Sequence, residues 1–178
     1  FIKNKEKLST LSTQKDEENI KELSSQIIKL GGKPKLDSKD LKEIIKNLSK
    51  QLEQLNISSV LQDKTKNIIN DQKINDIKVR FQKVQDLPPK DLRKLVDNGK
   101  KELGDGIIIV FAINEDKVGL AVGITDKLVD KYDAVKFAKL GSETIGGTGG
   151  GGRKDFAQAG GQDHNKIDEA FEKIKSLI

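Results

Sequence analysis

The stretch Gly146-Gly147-Thr148-Gly149-Gly150-Gly151-Gly152-Arg153-Lys154-Asp155-Phe156-Ala157-Gln158-Ala159-Gly160-Gly161 has a composition suited to holding an anion. Together with Gly141 it contains nine of the sixteen glycines in the 178-residue chain. Glycine reaches φ > 0 without steric penalty and lets a backbone approach another surface closely. A run of exposed N–H groups beside Arg153 and Lys154 can therefore wrap an anion, a phosphate above all. The competing reading is a flexible linker, as glycine-rich segments usually are. Three features weigh against the linker: no serine padding, continuation into a basic and amide-bearing segment, and a well-formed helix afterwards.

Other chemistry is scarce. There is no cysteine, which excludes disulfides and thiolate metal sites and fits a reducing compartment. The single His164 excludes a histidine-rich metal site and reads as a surface residue near the start of the last helix. Acidic residues are scattered and mostly flank lysines. The glycine run ends in Arg-Lys-Asp and not Gly-Lys-Ser/Thr, which argues against nucleotide hydrolysis. No methionine occurs even at position 1, so the chain reads as a processed product or an excised piece. The longest apolar run, Ile107 to Ile113, falls far short of the roughly 20 residues of a membrane helix. Net charge is +5, all of it in residues 1–86, which carry 18 Lys/Arg against 13 Asp/Glu; residues 87–178 carry 15 of each. A nucleic-acid footprint in the second half must then be a local patch.

The elements that position these residues follow from periodicity. Residues 4–30 predict a helix with an apolar seam at Ile20, Leu23, Ile27 and Leu30. Gly31-Gly32-Lys33-Pro34 stops it, and Asp37 or Ser38 offers an N-cap for a second helix with a seam at Leu41, Ile45, Leu48, Leu52 and Leu55. These seams either close on each other or pair with a second chain. Residues 57–70 read as continuing helix, and the domain boundary is placed near residue 71. A strand is expected over 76–84, then a helix opened by Pro88-Pro89, a strand over 106–114, a tight turn at 114–116 and a strand over 117–124. A helix over 133–140 exposes Lys136 and Lys139. After the glycine loop, Asp163 or Asn165 caps a last helix buried through Ile167, Ala170, Phe171, Ile174 and Ile178. The fold expected is α+β: an antiparallel, coiled-coil-like helical hairpin over 1–70, then a small α/β globular domain over 71–178 with a central sheet and a Gly-rich loop.

The string GGGGRKDFAQAGG resembles the C-terminal signature of alanyl-tRNA synthetases, usually Gly-Gly-Gly-Arg-Pro-Asp-Met-Ala-Gln-Ala-Gly-Gly. The resemblance covers about residues 74–178, through Asp91–Asp97, Gly106–Val110 and Lys117–Thr125. Lys154 stands where the family usually has Pro, and Phe156 where it has Met. The resemblance implies a cytoplasmic tRNA-binding module that contacts the elbow of tRNA-Ala. It also implies a helical arm supporting a homodimer, and upstream domains of the same alanine–tRNA ligase. Those upstream domains hold the aminoacylation and editing sites with their ATP, Mg2+ and zinc, so no cofactor and no catalytic residue is expected here. The RNA-contacting set is then Gly149, Gly150, Gly151, Gly152, Arg153, Lys154, Gln158, Gly160 and Gly161, widened by Lys136 and Lys139. Phe156 stacks on an exposed base or, the favoured reading, anchors the loop to the core. Similar domains also accompany DHH phosphoesterases, whose loop usually ends in Gly-Gly-Gly-His. Arg153 occupies that histidine position, which leaves an accessory nucleic-acid-binding domain of a DHH-type phosphoesterase as the alternative.

Overall fold

The computed structural model describes residues 2–178, with side chains from residue 10 onward. Two compact units divide between Ser59 and Val60. The first is a pair of helices, α1 (Ile2–Lys29) and α2 (Leu41–Gln62). Its core is small: Ile27, Ile44 and Leu48 are buried, with Ile20, Leu23, Leu52 and Leu55 around them. Ile44 replaces the expected Ile45 in the seam, and Leu30 lies exposed. The connection between the helices is longer than a tight turn. Gly32 lies against Leu55, so α1 ends beside the second half of α2. Gln51 then holds the returning chain, accepting from the Lys35 N–H at 3.2 Å and donating to the Lys33 carbonyl at 2.7 Å. Asp40, rather than Asp37 or Ser38, caps α2, with Oδ1 accepting from the Lys42 N–H at 2.9 Å.

The helix expected over 57–70 stops at Gln62. Asp63 Oδ1 accepts from both the N–H and the hydroxyl of Thr65, at 2.9 and 2.6 Å. Its carbonyl accepts the N–H groups of Lys66 and Asn67. Local bonds of this kind compete with helix continuation. The chain continues as strand β1 (Asn67–Ile74), turns through Asn75 and Asp76, both at positive φ, and returns as β2 (Ile77–Gln85). A two-residue turn with both residues left-handed matches the twist of the flanking strands. Residues 60–70 therefore belong with the sheet.

The remaining elements are α3 (Leu92–Leu103), β3 (Gly106–Asn114), β4 (Lys117–Ile124), α4 (Ala134–Thr144), β5 (Gly150–Arg153), β6 (Phe156–Gly161) and α5 (Ile167–Lys175). They complete a six-stranded sheet of order β1-β2-β3-β4-β6-β5. β2 and β3 are parallel and joined by α3; all other neighbours are antiparallel. Ile107, Ile109 and Phe111 pack with Phe137 and Ala138 of α4 and with Ala170 and Ile174 of α5. Ile108 looks the other way, onto Gly99 of α3. Layers on both faces explain why β3 is apolar at successive positions. α3 lies so close to β4 that a Cβ on Gly123 would overlap the Val96 side chain.

A buried charge ties these layers to the sheet edge. Arg80 of β2 is 8% exposed. Its Nε and Nη2 donate to Asp71 of β1 at 2.7 and 2.8 Å, and Nη1 donates to Glu102 of α3 at 2.5 Å. The hydrogen bond from Arg80 holds the Asp71 carboxyl below its ordinary value of 3.8, against a desolvation that pushes it up. A carboxyl depressed in the folded state stabilises above its unfolded value and loses that contribution as pH falls through the folded one. Urea unfolding from neutral pH to about pH 2 should show wild type more stable than Asp71→Asn at neutrality, with the gap closing only below about pH 4. A pH-independent gap would detach Asp71 ionisation from the effect.

Candidate nucleic-acid interface

The expected glycine loop is a β-hairpin at the sheet edge. Gly150 pairs with Ala159, Gly151 with Gln158, Gly152 with Ala157 and Arg153 with Phe156, leaving Lys154-Asp155 as the turn. From Gly150 onward the run is thus strand and neither linker nor loop, while residues 146–149 form the irregular connection from α4. Glycine has poor strand propensity, so other groups impose the strand. The hydroxyl of buried Ser142 on α4 donates to the Gly160 carbonyl at 2.6 Å and accepts from the Gly149 N–H at 3.2 Å. The Ser142 carbonyl accepts from the Gly147 N–H at 2.8 Å. At the far end, the Lys154 carbonyl accepts from the Ala134 N–H at 3.0 Å, and the Asp155 carbonyl from the Ile124 N–H at 2.8 Å. Lys100 Nζ of α3 adds a bond to the Asp155 carbonyl at 3.0 Å.

Directly paired residues share a face of the sheet. Gly150 and Gly152 point at Ala159 and Ala157, on the α4 side. Arg153, Phe156, Gly151 and Gln158 therefore face the α3 side, where the Arg93 guanidinium lies 5.0 Å from the centre of the Phe156 ring. Phe156 is half-buried, an anchor with one ring face taken by Arg93. Arg153 and Lys154 are exposed, and Arg153 Nε meets Asp155 Oδ1 at 3.2 Å. The expected set is thus brought together only in part. Lys136 and Lys139 stand exposed on α4, in the layer across the sheet, with Lys136 two residues from the Ala134 that bonds the turn. Gly160 and Gly161 lie at the other end of the hairpin from Arg153. With Gly146, Gly147, Thr148 and Lys117 they line a cavity of about 380 Å³. Arg93, Lys100 and Lys117 are the functional candidates that sequence reading missed. Nothing in the spacing of α3 marks Arg93 as a neighbour of Phe156; only the register of β4 against β6 does.

The glycines differ in why they are glycine. At Gly152, with φ +152, a Cβ would strike the Phe156 carbonyl and lie 2.6 Å from Ala157 Cα. At Gly151 a Cβ would meet nothing within 4 Å, and its φ is not in the left-handed range. The fold therefore does not require a bare backbone at Gly151. In thermal unfolding, Gly152→Ala should lose about 1–3 kcal/mol, whereas Gly151→Ala should be neutral or gain up to about 1 kcal/mol. Equal losses at both positions would show that the fold requires glycine at Gly151 as well.

Comparison with known proteins places this geometry in a lineage. Residues 76–178, every strand of the sheet except β1, match the DHHA1 domain. An alanine–tRNA ligase of Parvibaculum lavamentivorans is 44% identical over 108 residues, 60% of this chain and 12% of that protein. The alanine–tRNA ligase of Rhodopseudomonas palustris is 45% identical over 106 residues, 59% of this chain and again 12% of the relative. This chain thus spans a small fraction of the length of the curated relatives it matches. The crystal structure of the C-Ala domain from Aquifex aeolicus alanyl-tRNA synthetase superposes with a TM-score of 0.58 at 25% identity, covering 61% of this chain and 96% of that one. With the match running unbroken from the start of β2 to the C-terminus, this chain belongs to the DHHA1 domain family.

Proposed function

We propose that this chain is the C-terminal part of an alanine–tRNA ligase and that its globular unit binds the elbow of tRNA-Ala. The observation that carries the reading is the α3-side face: Arg93 stacked on Phe156, with Arg153, Gln158 and the bare backbone of Gly151 beside it. Arginines here contact phosphates, which position an RNA without reading its sequence. Gln158, exposed on the same face, reaches sugar or base edges. Lys154, Gly149, Gly150 and Gly152 supply the rim and the shape of the edge, and Lys117 the second cation toward Gly160 and Gly161. Lys136 and Lys139 serve only an RNA that wraps past the turn onto α4.

In this reading the segment performs no bond-making. It holds one tRNA so that the upstream aminoacylation and editing domains of the same cytoplasmic ligase act on it in turn. ATP, Mg2+ and zinc belong to those upstream domains. The helical arm supports association of two ligase chains, a role supported by Leu11 and Ile28, which are 59% and 61% exposed on α1.

Filter-binding or anisotropy titrations with full-length tRNA-Ala and with an acceptor minihelix lacking the elbow test the reading. The full tRNA should bind more tightly. Arg93→Ala and Arg153→Ala should each weaken that preference and flatten the log–log salt dependence by about 0.7–0.9 per lost phosphate contact. Equal binding of both RNAs, indifferent to both variants, would sink it.

A further inference from the structure

Strand β1 is the outermost strand at one end of the sheet order, and its backbone is oriented for pairing. The Lys66 carbonyl accepts from the Gln85 N–H at 2.8 Å. In an antiparallel ladder the hydrogen-bonding residues alternate, so Ile68, Asn70, Gln72 and Ile74 bond to β2 while Ile69, Asp71 and Lys73 turn their N–H and C=O outward. The Asn67 N–H, also outward, is already taken by the Asp63 carbonyl. No hydrogen bond from the described residues meets the outward groups of Ile69, Asp71 or Lys73. The edge carries no proline and no bulge, devices that usually blunt such strands. Ile68 and Ile69 are 53% and 46% exposed, one on each face of the sheet.

We infer that the β1 edge pairs antiparallel with the β1 edge of a second copy of this chain, Ile68 of each opposite Ile74 of the other. In that register Ile69 lies along the aliphatic stem of the other copy's Lys73, Asn70 faces Gln72, and Asp71 faces its own counterpart on the two-fold axis. Every outward N–H of Ile69, Asp71 and Lys73 then meets a carbonyl. Each Asp71 carboxylate is bound by Arg80 at 2.7 and 2.8 Å, which reduces their repulsion across the axis without cancelling it, because Arg80 also serves Glu102. Sliding the pairing by one hydrogen-bonded step sets Ile68 against Gln72, or carries it past Ile74 into the turn. Only the stated register gives both exposed isoleucines an apolar or aliphatic partner. A self-complementary antiparallel edge closes with two-fold symmetry, which commits the occupant to the same chain. One strand pair buries well under the roughly 1,600 Å² of a standard interface, so the dimer is weak and concentration-dependent. This inference is independent of the RNA reading.

The chain has no cysteine, so introduced ones report unambiguously. Opposed Cα atoms at 70 and 72 would be about 4.5 Å apart, within the roughly 4.4–6.8 Å range for a disulfide. Full-length Asn70→Cys and Gln72→Cys proteins are mixed under mild oxidation and read by non-reducing gel and mass spectrometry. The expected product is predominantly the mixed 70–72 disulfide. Dominant 70–70 or 72–72 homodimers would overturn the register, and no cross-link above the denatured control would overturn the interface. Ile69→Pro removes only an outward N–H and spares the β1–β2 ladder, so in that background the yield of the 70–72 cross-link should fall at least roughly tenfold, a readout specific to the β1 edge that association through the helical arm does not supply. An undiminished cross-link in that variant would defeat the inference.

Discussion

Helix α3 lies almost directly on the backbone of β4, and the globular unit is arranged around that contact. Leu92 and Val96 fill the space where Gly119 and Gly123 carry no side chain. An interior packed to crystal density does not let such a helix slide. Its other residues are thereby placed: Arg93 over Phe156, Lys100 on the turn of the β5–β6 hairpin, Glu102 on Arg80. One helix thus governs the face offered to a ligand, the tip of the glycine hairpin and, through Arg80 and Asp71, the opposite edge of the sheet.

Charge is distributed to match. The half of the chain that forms most of the sheet is neutral in sum, and many of its surface charges are already paired. Lys127 meets Asp105 at 2.6 Å, Lys173 meets Glu169 at 2.8 Å, and Lys175 meets Glu172 at 2.7 Å. Exposed pairs of this kind add little stability, but they cancel the field that would otherwise draw polyanions to α5. In the proposed function, the surface left for an RNA is local to the α3 side and the hairpin tip, where shape and a few cations would select the approach.

Much of this was legible in the sequence, and the failures have physical causes. Alternating and continuous apolar runs marked β2, β3 and β4 because burial on one or two faces writes its period into side chains. The first half of β1 falls within the helix expected over 57–70 because Ile57, Val60, Leu61, Ile68 and Ile69 fit a helical period. The Asp63–Thr65 bonds that break the helix are local and polar, and leave no trace in hydrophobic spacing. The Asn75-Asp76 pair, both at positive φ, is the local signal for the β1–β2 hairpin. The glycine hairpin was invisible to propensity, since its strand is imposed by β6 and Ser142. In α2 the seam turned by one position, from Ile45 to Ile44, a difference that heptad spacing does not resolve. Anion binding by the glycine segment is an expectation drawn from residue types, whereas the placement of Arg93 beside Phe156 follows from the sheet register, a non-local fact.

The ion pair between Arg153 and Asp155 gives the hairpin tip a resident counterion. Asp155 cannot drift away, because its own carbonyl is fixed by Ile124 and Lys100. An anion arriving at Arg153 therefore displaces a tethered carboxylate and does not simply add to a bare cation. Such a swap favours ligands that offer more than one oxygen to the guanidinium fork. It also leaves the displaced carboxylate close by, ready to reclaim the arginine. An anion held at this point would compete with an internal carboxylate at fixed effective concentration, a property that, in the proposed function, suits release of one tRNA before the next is taken.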